Sequence, residues 1–161
     1  MAALLWAGRV HELGGGAFGA TALTIATPKL RLGFVQAVAL GILCNALVCL
    51  AVWLSYGARS LTDKFFAILL PISAFVAAGF EHSVANMYFL PVGLFVKSGA
   101  ADSFWQTTGA SASDYRELTW GHAAFDNLLP VTLGNIFGGA VMVGFVYWLV
   151  YRRPTQASPS A

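Results

Sequence analysis

Charge is what this chain has least of. Only 10% of its 161 residues are Asp, Glu, Lys or Arg, and nine basic against seven acidic side chains leave a net charge of +2. A soluble domain is excluded at that composition, and no nucleic-acid partner is expected. Cysteine is nearly absent as well: Cys44 and Cys49 stand five apart inside an apolar run, unlike a CxxC metal or redox pair. The three histidines are scattered and form no ligand cluster, so no metal and no cofactor is expected. A nucleotide fingerprint, a nucleophile elbow and a zinc motif are all missing, and an enzyme is not expected. The apolar start from Ala2 to Ala7 has neither a charged n-region nor a cleavage site, so it does not read as a secretory leader.

What the chain has is apolar length. Hydrophobic residues make up 58% of it, with a mean hydropathy of +0.70, the composition of an all-α integral membrane protein. Residues 1–32 read as an outer segment and the remnant of a preceding span, interrupted by Arg9, Glu12 and the Gly14–Gly16 triplet. Spans are expected over about 33–56, 61–97 and 127–151, within a transmembrane region of 33–153, and residues 154–161 as a disordered tail. The stretch from Ser98 to Thr119, rich in Ser, Ala, Gly and Thr, reads as an irregular loop.

The run from Leu61 to Lys97 is too long for one span: at ~1.5 Å per residue it would reach roughly 55 Å against ~30 Å of hydrocarbon. Two half-helices, Pro71 to Ala78 and His82 to Phe95, broken near Gly79, fit better, because glycine tolerates backbone that other residues do not. The break would fall beside Glu81 and His82, with Asn86 just beyond, an acid, an imidazole and an amide in mid-membrane. Polar groups at that depth are expensive and mark function, and irregular backbone there is tolerated where it is buried or lines a cavity.

Orientation follows the basic residues. Arg59 and Lys64 in the first connection and Arg152 and Arg153 after the last span fall on one face, which reads as cytoplasmic, with the C-terminus there. Trp53, Tyr56, Tyr147, Trp148 and Tyr151 lie at span ends on that side, as interfacial anchors do. The other face holds Lys29, Arg31 and an acidic connection.

Three stretches carry a resemblance: Leu40 to Trp53, Gly79 to Met87 with its Glu-His-Ser, and Pro130 to Gly139 with its Gly-Asn-Ile-Phe-Gly-Gly. In order and spacing they resemble the formate/nitrite transporter family, from about Gly14 to Arg153, whereas Met1–Leu13 matches nothing in it. The resemblance implies an aquaporin-like protomer of two inverted three-span repeats, assembled as a homo-pentamer in the lipid bilayer of a bacterial inner membrane. It covers only the later half of such a six-span protomer. The implied function is passage of small monovalent anions, formate or nitrite. The alternatives are a hydrosulfide- or lactate-type member of the same family, or a non-conducting truncated or structural subunit.

Residue by residue, His82 is the expected centre. A neutral imidazole, the form desolvation favours, can give a hydrogen bond or a proton to a small carboxylate, and a neutral acid crosses an apolar slit far more cheaply than its anion. Glu81, about 100° from His82 on a helix, reads as an orienting acceptor or counter-charge. Asn86, one turn after His82, would share its face, and the resemblance adds Asn45 beside them; helix-packing glue is the other reading of both amides. Phe75, seven residues before His82, matches a constricting aromatic of the family. Lys29 matches a vestibule cation that draws anions in. Gly134, Gly138 and Gly139 form a small-residue face for close helix packing, with Asn135 among them as either a packing or a pore residue.

Overall fold

The computed structural model describes residues 1–152, so the expected tail at 154–161, and Arg153 with it, lies outside the described residues. The described chain is helical, with no strand. In chain order it holds α1 (Ala2–Ala7), α2 (Ala17–Lys29), α3 (Phe34–Gly57), α4 (Leu61–Ala77), α5 (Ser83–Gly99) and α6 (Asp102–Thr108), then a last helix, α7, over residues 120–151. Two π-helical segments, Ala123–Leu128 and Phe137–Phe145, flank an α-helical stretch of α7, Leu129–Ile136. The first π segment ends just before Pro130, which has no N–H to return to the preceding turn.

Among the described residues, two helical stretches are long and apolar enough to cross a membrane, Phe34–Gly57 and Ala112–Tyr151, the second containing α7. α4 and α5 are each 17 residues and are joined through the break. α4 opens on a capping box, in which the Ser60 side chain accepts from the Asp63 N–H and the Asp63 carboxylate from the Ser60 N–H. It closes on Gly79 at φ +68°, the Phe80 N–H reaching back to the Phe75 carbonyl and the Gly79 N–H to that of Val76. This is a Schellman closure, which needs a left-handed residue where Gly79 stands. α4 therefore runs ten residues further upstream than the half-helix read from Pro71, and α5 continues to Gly99 rather than Phe95.

Two packing groups meet at the break. On one side, Leu23 and Ala26 of α2 and Leu30 just after it pack with Leu90 and Leu94 of α5, Phe104 of α6 and Leu118. On the other, α3 lies against α7 at backbone contact: a Cβ on Gly134 would collide with the Val38 carbonyl, and one on Gly138 with that of Ile42. The glycine face of α7 thus lets two helices touch where any larger residue would hold them apart. Trp53, Tyr147 and Tyr151 cluster at one end of this pair, with ring centroids 5.7 Å and 6.4 Å from Trp53.

The connection 98–119 is more ordered than its composition suggests. α6 is pinned by Phe104, which is buried against Gly16 and Gly19. A 3-10 turn, Ala112–Tyr115, is fixed by a Ser111–Asp114 capping box. Small polar residues here cap short helices instead of solvating a loop.

Candidate functional site

Residues 81–83 bridge α4 and α5, and their backbone polar groups are satisfied by neighbouring helices. The Glu81 N–H donates to the Leu40 carbonyl of α3 at 3.4 Å. From α7, the Asn135 side-chain oxygen accepts both the Ser83 N–H (2.9 Å) and its hydroxyl (3.0 Å), while its amide nitrogen donates to the carbonyls of Gly41 (2.8 Å) and Glu81 (3.0 Å). One buried amide thus serves four groups, two of which, the Ser83 N–H and the Glu81 carbonyl, the break would otherwise leave unpaired in apolar surroundings at a cost of about 1–3 kcal/mol each.

His82 is the N-cap of α5. Its Nδ1 accepts the Ala85 N–H at 3.3 Å, so in the neutral ring the hydrogen sits on Nε2. Nε2 has no protein partner among the described residues. The ring is half-buried and stacks on Phe75, centroids 5.9 Å apart and planes at 29°. Phe75 and His82 meet across the turn at Gly79, one at the end of α4 and the other just before α5, not two turns apart on one helix.

The Glu81 carboxylate turns the other way and is buried, 4% exposed. Oε1 accepts from Lys29 Nζ at 2.8 Å; Oε2 accepts from Asn86 at 2.6 Å and from Asn127 at 3.3 Å. Asn127 also donates to the Lys29 carbonyl at 2.9 Å and accepts from Asn86 at 2.7 Å. Three donors thus converge on one buried carboxylate and stand in for the water it has lost.

The geometry revises three expectations. The Asn86 N–H donates to the His82 carbonyl at 2.9 Å, as helical spacing expects, but its side chain does not bond the imidazole: the amide nitrogen donates to Glu81 and Asn127 instead. Asn45 does not join Asn86 either; it donates to the Asn135 backbone carbonyl at 2.6 Å and fills the notch left by Gly139. Lys29 is no open vestibule cation, since its side chain is 18% exposed and paired to Glu81. Ser83 and Asn127 carry much of the site and were not singled out from sequence. The signal was present in an Asn at each end of the span's polar face, eight residues apart, but their partners lie 41 to 98 residues away.

Two regions remain apart from this cluster. An apolar groove of about 320 Å³ between α3 and α7 is lined by Leu50, Trp53, Val146 and Tyr147 among others. His11 is buried between Trp6, stacked at 4.3 Å, and Phe104.

Comparison with known proteins adds the following. The formate/nitrite transporter family matches residues 1–149, which extends the resemblance into Met1–Leu13, expected to lie outside it. The chain is 45% identical over 150 residues to the formate channel FocA of Escherichia coli K12, covering 93% of this chain and 53% of that protein. It is 40% identical to a probable formate transporter of Methanothermobacter thermautotrophicus, covering 94% and 47%. Among solved structures, a pentameric formate channel with formate bound superposes with a TM-score of 0.88 at 47% identity, covering 94% of this chain and 60% of that one. The chain spans about half the length of the curated relatives it matches.

Proposed function

The chain belongs to the formate/nitrite transporter family and is an integral membrane protein, and we propose that it carries the anion pathway of a channel for small monovalent anions, formate first and nitrite with it. The observation that carries this reading is His82: one ring nitrogen is spent capping α5, and the other is an unpartnered donor beside Phe75 at a break in an apolar helix pair. A permeant carboxylate arriving there meets a hydrogen-bond donor and an aromatic wall. Its negative charge is offset by that donor rather than by water.

The capped tautomer bears on how the histidine acts. Full protonation would put a hydrogen on Nδ1 against the Ala85 N–H and cost α5 its cap, about 1 kcal/mol. Giving up the Nε2 hydrogen of a neutral ring would leave an imidazolate. Hydrogen bonding to the permeant is therefore favoured over protonating it, and a proton that neutralises formate comes from the aqueous side. Lys29 and Glu81 act as a compensated pair, a dipole behind the constriction. Asn45 and Asn86 are structural ties of the pathway wall.

The same reading places the protein in a bacterial inner membrane, its C-terminus cytoplasmic beside Arg59, Lys64 and Arg152, in a pentamer such as the solved relative forms. The test is radiolabelled formate uptake into liposomes holding the chain, with nitrite, hydrosulfide and lactate as competitors. Saturable uptake blocked best by nitrite supports the proposal. Stronger competition by hydrosulfide or lactate moves the substrate class, and absence of uptake overturns conduction by this chain.

A further inference from the structure

Asn127 sits fully buried in the first π segment of α7. Among the described residues, the hydrogen bonds that tie α7 to other helices run through two side chains and one carbonyl: Asn127, Asn135 and the Asn135 carbonyl that Asn45 reaches. Asn135 serves backbone groups and the Ser83 hydroxyl. Asn127 serves the charged pair, giving one hydrogen each to the Lys29 carbonyl and Glu81 Oε2, and accepting from Asn86.

We propose that Asn127 is a positioning residue of the anion pathway, holding the Glu81 carboxylate against Lys29 and fixing the Lys29 backbone without touching the permeant itself. The proposal rests on the anion-channel reading above. Its chemistry is specific. Only an amide at this position can donate twice and accept once; a carboxylate would face Glu81 with no hydrogen to give, and a hydrocarbon would leave Oε2 and the Lys29 carbonyl short of a donor. A like-charged carboxylate this close to Glu81 would drive one of the two to take a proton. The π turn matters to the placement, since removing one residue would rotate Asn127 by about 100° away from Glu81.

The groups facing this position are Lys29 at the end of α2, Glu81 at the break and Asn86 on α5. Cys44 on α3 lies within electrostatic reach of Glu81 and Lys29. On α7 itself, Asp126 is half-exposed and lies 3.6 Å from His122.

The experiment compares wild type, N127D and N127L of the whole chain, each purified and reconstituted. In N127D, formate uptake is expected to fall about tenfold near neutral pH and to recover in acid, where a protonated Asp can again donate to Glu81. N127L is expected to lose a similar factor with no recovery. Infrared spectra of the same samples should show a titrating carboxylic-acid band in N127D that is absent from wild type and from the N127D, E81Q double variant. Equal, pH-independent losses in both variants would overturn the proposal in favour of a packing role, as would unchanged uptake. If wild type passes no formate, the channel reading fails, and the infrared band alone decides for or against the Asn127–Glu81 coupling.

Discussion

Lys29 and Glu81, 52 residues apart in sequence, meet at 2.8 Å and bury their charges against each other behind the break that presents His82. An ion pair at that depth holds only while both partners are present, because a lone buried charge bears the whole desolvation cost. Lys29→Met is accordingly expected to lower stability by about 3–5 kcal/mol, and Lys29→Met with Glu81→Leu by clearly less. Thermal unfolding in detergent, followed by tryptophan fluorescence, separates the two. Equal losses would mean that the pair is not coupled.

Gly79 makes the break possible by conformation alone. A Cβ there meets nothing within 4 Å, yet φ is +68°, so Gly79→Ala should cost about 1 kcal/mol through backbone strain with no change in packing. The same substitution at Gly57, also in open space but without positive φ, should be close to neutral. A neutral Gly79→Ala would contradict the Schellman closure of α4.

At Gly138 the argument is steric. Its added methyl would strike the Ile42 carbonyl, and backbone cannot step aside as a flexible side chain can. Gly138→Ala is expected to cost about 1–3 kcal/mol and to loosen α3 from α7, seen as faster hydrogen exchange in both helices. Unchanged exchange would count against backbone contact between them.

How much of this is legible in the sequence depends on how far apart the partners lie. The break at Gly79 to Ser83 can be read locally, because a glycine followed by Glu-His-Ser interrupts an apolar run that is too long to cross the bilayer as one helix. The bounds of α4 and α5 cannot, because the Schellman turn and the His82 cap are set by backbone hydrogen bonds that leave no periodic trace. Helical spacing relates Phe75 to His82, but folding brings them together through the turn between them. The same spacing puts Asn86 one turn after His82, as found, but does not show that its amide turns to Glu81 and Asn127. Asn127 stays hidden because its partners Lys29, Glu81 and Asn86 lie on three other elements, and only the tertiary fold collects them.

The N-terminal segment carries a titration of its own. His11 is buried against Trp6, and burial pushes its pKa below the usual 6.5, with Glu12 acting the other way and Arg9 in the same direction as burial. The unfolded segment therefore binds the proton more readily. Local stability is complete above about pH 6.5 and is lost as pH falls through the lower folded value. Hydrogen exchange of residues 1–13, corrected for intrinsic rate, should show protection falling in acid for wild type and not for His11→Phe. Protection that rises in acid would reverse the sign.

The most direct measurement is formate flux through His82→Asn set beside His82→Phe, each in liposomes under an inward proton gradient and each with its unfolding temperature determined. Asparagine can still cap α5 through its Oδ1, but its Nδ2 lies on a shorter side chain and does not reach where the ring's Nε2 presents its hydrogen; phenylalanine has neither cap nor donor. The account predicts that His82→Asn keeps near-wild-type stability and loses most of the flux, while His82→Phe loses both. Wild-type flux in His82→Asn would contradict the claim that the free ring nitrogen of His82 handles the permeant.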